Sequence, residues 1–95
     1  MKRYAVVATK QYKKDYKILC RTGHDLRKLD HVIDTLAAGK ELQVRHRDHT
    51  LKGKLRGTRE CHIGSDWLLK YKKEDKELLL ILLRTGTHRD VLGIE

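Results

Sequence analysis

The chain has 95 residues and a mass of 11.1 kDa, room for one small hydrophobic core and not for two. Twenty-two Lys and Arg against thirteen Asp and Glu give a net charge of +9 and a pI near 9.8, which points to a polyanion such as nucleic acid or to an acidic protein surface. The longest apolar runs, 78–83 and 4–8, are of strand length and far short of the roughly 20 residues of a membrane-spanning helix.

The opening segment MKRYAVVATKQYKK has five apolar residues between two basic stretches. That is no secretory signal, so a cytoplasmic protein is expected, with 1–95 as a single domain. Cys20 and Cys61 form neither a disulfide framework nor a CxxC pair; both are expected to be buried small hydrophobes in a reducing compartment.

Tyr4 to Ala8 (YAVVA) predicts a strand, and Thr9 is placed to cap a following helix. Over 10–21 the apolar positions Tyr12, Tyr16, Leu19 and Cys20 recur at helical spacing with lysines opposite, and Gly23 follows. A second helix is predicted over 25–38, with Leu26, Leu29, Val32, Ile33, Leu36 and Ala37 on one face and Gly39 after it. Residues 40–57 lack a sustained period and predict a long loop, or a loop with a short strand. This stretch is also the basic hotspot: from Arg45 to Arg59 there are six Lys or Arg against one acid, Asp48. Three strand-length runs follow, 58–63, 67–72 and 77–84, separated by Gly64-Ser65-Asp66 and Lys73-Glu74-Asp75-Lys76. They predict an antiparallel meander. The unalternating run LLLILL predicts a central strand buried on both faces. The fold class expected is α+β, a helical hairpin packed on one face of the sheet.

Six histidines in 95 residues are the candidates for chemistry. His49 falls in the basic loop, His62 at a strand end and His88 after the last strand, while Asp66 and Trp67 lie across the turn from His62. Imidazole exchanges protons near neutral pH, and RNA carries its own nucleophile, the 2′-hydroxyl. Its cleavage therefore needs a base, an acid and cations rather than a metal. Each feature has a structural alternative: exposed or core histidines, a solvated basic face, a plain core Trp67, a simple turn at Thr85-Gly86-Thr87, and Tyr71 as packing. A three-histidine zinc site is disfavoured, because no HxH or HxxxH spacing joins these residues.

Asp48-His49-Thr50-Leu51-Lys52-Gly53, Arg59-Glu60-Cys61-His62-Ile63 with Asp66-Trp67-Leu68-Leu69 and Tyr71, and Arg84-Thr85-Gly86-Thr87-His88 resemble, in order and spacing, the signature of the YafQ branch of the RelE/ParE toxin superfamily. The first half agrees in its strand and hairpin layout and in Tyr12, Lys14, Asp15 and Lys17. The resemblance implies a RelE-like fold and a metal-independent mRNA interferase, without cofactor, that cuts translated message in the A site of the 70S ribosome. It also implies control by an acidic DinJ/RelB-like antitoxin, through which alone the complex would reach operator DNA. Carried over by motif, His49, His62, Asp66 and His88 would be catalytic. His49 and His88 would handle protons, Asp66 would orient or share that work, and His62 would stabilise the phosphate. Lys52, Lys54, Arg59 and Arg84 would lie along the RNA, with Trp67 supporting the site or stacking on a base. The family pattern places an aromatic a turn after the last histidine, where this chain has Leu92, which offers apolar contact only. The rival readings are a non-catalytic basic RNA- or ribosome-binding module and a ParE-like toxin directed at gyrase; ParE-like members lack this histidine set.

Overall fold

The computed structural model describes residues 3–51 and 57–87. Strand β1 (Ala5–Ala8) leads into helix α1 (Lys10–Arg21). Thr9 makes that junction: its hydroxyl oxygen accepts from Tyr12 N (3.1 Å) and donates to Leu82 O (2.9 Å) on the last strand. The cap thus starts the helix and ties its start to the sheet. Gly23, at φ +76°, makes the left-handed exit from α1 that a residue with a Cβ disfavours. Asp25 then caps α2 (Leu26–Ala37), accepting from Arg27 N.

The helical stripes largely match the expected ones, with two corrections in α1. Cys20, expected to be buried, is exposed, while Cys61 is buried as expected. Asp15 takes a stripe position instead. A carboxylate is tolerated there because Arg84 Nε (2.9 Å), Thr85 N (3.2 Å) and Gln11 Nε2 (3.1 Å) all donate to it.

After α2 the chain forms a 3₁₀ turn (Val44–His46) and a two-residue strand β2 (His49–Thr50). The meander follows as β3 (Arg59–Gly64), β4 (Trp67–Glu74) and β5 (Leu79–Gly86). The sheet order is β1-β5-β4-β3-β2, with β1 parallel to β5 and every other pair antiparallel. β5 is central, as its composition predicts, but it is not buried on both faces. Leu80 and Leu82 are buried while Leu79, Ile81 and Leu83 are only half-buried, because the helices cover one face alone. On that covered face Leu29, Val32, Leu36, Leu69, Tyr71, Leu80, Leu82 and Cys61 form the core with Tyr12 and Leu19. Each fully buried aliphatic side chain contributes about 1.5–3 kcal/mol. No helix among the described residues is long and apolar enough to cross a membrane.

Candidate functional site

The sheet register sets out the site. His49 on β2 faces Glu60 on β3, Glu60 faces Lys70 on β4, and Lys70 faces Arg84 on β5. Two positions along β3 from Glu60, on the same side of the strand, His62 faces Leu68, which faces Gly86. Asp66 sits exposed in the turn between β3 and β4, at the same end of that hairpin as His62. The described chain reaches Thr87, one residue past β5. His88, Leu92, Lys52 and Lys54 lie outside the described residues.

His49 is held at both ring nitrogens. Its Nδ1 lies 2.6 Å from Arg47 O; a carbonyl only accepts, so Nδ1 carries a hydrogen. Its Nε2 lies 3.1 Å from Glu60 Oε2. The Glu60 side chain is 6% exposed against 47% for His49, and Glu60 Oε1 is buried without a hydrogen-bond partner among the described residues. At that separation Nε2 and Oε2 can share a proton when one is present between them. A carboxylate left half-partnered out of water is costly, which is the sort of expense proteins carry at functional sites. Arg47, which supplies the carbonyl, is one of two non-glycine residues at positive φ among those described (φ +45°), a left-handed conformation that costs about 1–2 kcal/mol.

The residue before His49 is anchored from below. Asp48 accepts from Tyr71 Oη (2.5 Å), from Arg59 Nη2 (3.1 Å) and from Arg59 Nε (3.4 Å). Burial, and after it the hydrogen bond to Asp48, pushes the Tyr71 phenol far above its usual range, so it remains a donor at any working pH. Tyr71 is packing, as its sequence context suggests, and also an anchor for the loop. Arg59, expected along RNA, has its guanidinium engaged by Asp48 and Tyr71 with a third of its side chain exposed. Arg84 is engaged by Asp15. Trp67 is 7% exposed, donates from Nε1 to Thr85 Oγ1 (3.0 Å) and meets His24 edge-on at 4.9 Å. Its ring belongs to the core cluster.

Two partners escaped the sequence analysis. Glu60 stands inside one of the motifs, but its pairing with His49 emerges only once β2 is registered on β3. His46 is buried, and its Nδ1 donates to the His62 carbonyl (2.7 Å), a contact between residues with no shared local pattern. Among the described residues no three His, Cys, Asp or Glu gather as ligands for a metal ion.

Residues 4–93 match the family described as the bacterial toxin of type II toxin–antitoxin systems, YafQ. The chain is 38% identical over 84 residues to the mRNA interferase toxin YafQ of Escherichia coli K12, covering 87% of this chain and 89% of that protein. Its fold is similar to the toxin in the E. coli DinJ–YafQ toxin–antitoxin complex, with a TM-score of 0.87 and 34% identity over 96% of this chain and 99% of that one. It is similar also to YafQ of E. coli BL21(DE3), with a TM-score of 0.88 and 31% identity over 95% and 99% of the two chains. With a match that spans nearly the whole chain and a fold shared throughout, this protein belongs to the YafQ family of toxins within the RelE/ParE-like superfamily.

Proposed function

We propose that this toxin is a ribosome-dependent, metal-independent mRNA endoribonuclease of the cytoplasm, restrained by a cognate acidic antitoxin. The observation that carries the reading is the His49–Glu60 pair, a proton-sharing couple half open to solvent on a strongly basic chain. The relatives support it as well: one is described as an mRNA interferase toxin and another was solved in complex with DinJ.

In the proposed reaction the 2′-oxygen attacks the adjacent phosphorus, the P–O5′ bond breaks, and a 2′,3′-cyclic phosphate and a 5′-hydroxyl result. The 2′-hydroxyl proton must leave and the 5′-oxygen must gain one. His49 and His88 make these two transfers, and Asp66 orients or shares them. His62 places positive charge or a donor against the phosphorane oxygens. Both His49 nitrogens are occupied in the free protein, so substrate has to displace one contact. The longer one, to Glu60, is the one that opens: a shared proton that stays with Glu60 leaves Nε2 free to act as the base, one that stays with His49 leaves it an acid, and the contact re-forms after turnover. Because Glu60 Oε1 is buried, Glu60 acts through His49 and is a positioning residue. Trp67 supports the site from within the core, Arg59 and Arg84 brace it, and Lys52 and Lys54 lie along the RNA.

Replacing His88 by Ala should lower cleavage by about 10² to 10⁴ in a reconstituted translation reaction read by primer extension. A loss of less than about threefold would remove His88 from proton transfer.

A further inference from the structure

Beside the candidate site lies a second basic feature. β2 covers β3 only at Arg59 and Glu60. Further along, the edge of β3 is covered by the 3₁₀ turn, where His46 donates to His62 O. Here a groove of about 610 Å³ opens between that turn, the end of β3 and α2. Its lining includes Arg27, Lys28, His31, Arg45, His46 and His62, with Asp25 as the one carboxylate among the described residues.

Asp25 is already used, capping α2 and pairing with Arg27 at 3.1 Å. Lys28 and Arg45 are exposed and make no ion pair among the described residues. His46 is only 8% exposed, and with Nδ1 committed to a carbonyl its Nε2 has no hydrogen-bond partner among the described residues. A buried imidazole with one open nitrogen, lining a groove with unpaired cations at its rim, suits a ligand that is anionic and also carries hydroxyl donors. A ribose-phosphate backbone has both.

We infer that this groove binds the sugar-phosphate backbone of the substrate RNA next to the scissile phosphate, with His62 as the residue common to groove and cutting site. The inference rests on the RNA-cleavage reading and adds a binding subsite to it. Lys28 and Arg45 contact phosphates, and His46 Nε2 accepts from a 2′-hydroxyl. None of the three exchanges protons with the reacting atoms, so their contribution is to affinity rather than to the chemical step.

The test uses Lys28→Gln/Arg45→Gln in the full chain, with a charge-matched Lys13→Gln/Lys17→Gln control on α1. The probe is an unmodified single-stranded RNA, its 2′-hydroxyls intact, offered without ribosomes. Removing two cations that each neutralise a phosphate of a single strand lowers the slope of log K against log salt by about 1.4 and weakens binding about tenfold near physiological salt. The control should keep the wild-type slope and the wild-type affinity. An unchanged slope in the groove variant, or an equal loss in the control, overturns the groove assignment and leaves the cleavage reading standing. Wild-type protein that neither binds the probe nor cuts message on translating ribosomes overturns both. A groove variant that binds the probe normally but loses affinity for message-free ribosomes, or only for an acidic antitoxin, assigns the groove to that partner and overturns the inference.

Discussion

Replacing Glu60 by Gln separates function from architecture at the centre of the site. The side chain keeps its shape, but the carboxylate that faces His49 Nε2 at 3.1 Å becomes an amide that cannot take up a proton. A hydrogen bond to a charged group contributes about 1.5–3 kcal/mol. Because the His49 side chain is 47% exposed, solvent screening favours the lower end, about 1.5 kcal/mol or roughly tenfold in rate. Stability should move the other way or hardly at all. A carboxylate buried with one oxygen unpartnered among the described residues is exchanged for a neutral group, so Tm should stay within about 4–8 °C, the equivalent of about 1 kcal/mol for a domain of this size. Single-turnover cleavage of message on programmed ribosomes gives the rate, titration with ribosome-free single-stranded RNA gives the affinity, and differential scanning calorimetry gives Tm. The account predicts a slower chemical step, an altered pH profile and unchanged affinity; Glu60→Asp, one methylene too short, should be slow as well. A Glu60→Gln variant that cuts within about threefold of wild type with the same pH profile would refute the positioning role. A large fall in Tm with full activity in the remaining folded protein would make Glu60 purely structural.

Asp15→Asn should destabilise the fold by about 2 kcal/mol, a Tm loss on the order of 10 °C, because Arg84 and Thr85 N lose the carboxylate that binds α1 to β5; unchanged thermal unfolding would contradict the clamp. Tyr71→Phe leaves the core filled but removes the donor to Asp48; about 1 kcal/mol of stability and faster amide exchange around His49 are the expected effects. Burial pushes the Cys61 thiol up to about 12, whereas Cys20 is exposed, so iodoacetamide at pH 8 should label Cys20 in native protein and both cysteines after unfolding. The same shift fixes an alkaline limit. The unfolded thiol releases its proton near pH 9 while the folded one holds it to about 12. Stability should therefore fall through that window, by up to about 1.4 kcal/mol per pH unit, and buried Tyr12 and Tyr71, whose phenols are also raised, steepen the fall. A flat unfolding midpoint from pH 9 to pH 11 would contradict this.

The elements were legible where local signals agreed with one another. Thr9 and Asp25 as caps, Gly23 and Gly39 as stops and a helical stripe between them place both helices within a residue of their observed bounds. What sequence could not show was set by partners distant in the chain. Asp15 occupies an apolar stripe position because Arg84 and Thr85, 69 and 70 residues away, donate to it, while Cys20 faces water. The parallel pairing of β1 with β5 has no local signature, and β2 is too short to announce its register. Without that register Glu60 is one more acid in a basic stretch, and His49 has no visible proton partner. The motifs name candidate residues, of which His88, Leu92, Lys52 and Lys54 lie outside the described residues; the bonds of His46, Asp48 and Glu60 came from the fold.

The central claim is cleavage of message on the ribosome by side-chain acid–base chemistry. It is tested most directly by incubating the protein with a defined mRNA in a reconstituted translation system, with and without ribosomes, and mapping 5′ ends beside a His62→Ala/His88→Ala double variant. The account predicts discrete cuts within codons that require ribosomes and vanish in the variant. Translation arrest with intact mRNA, or cuts that persist in the variant, would contradict it.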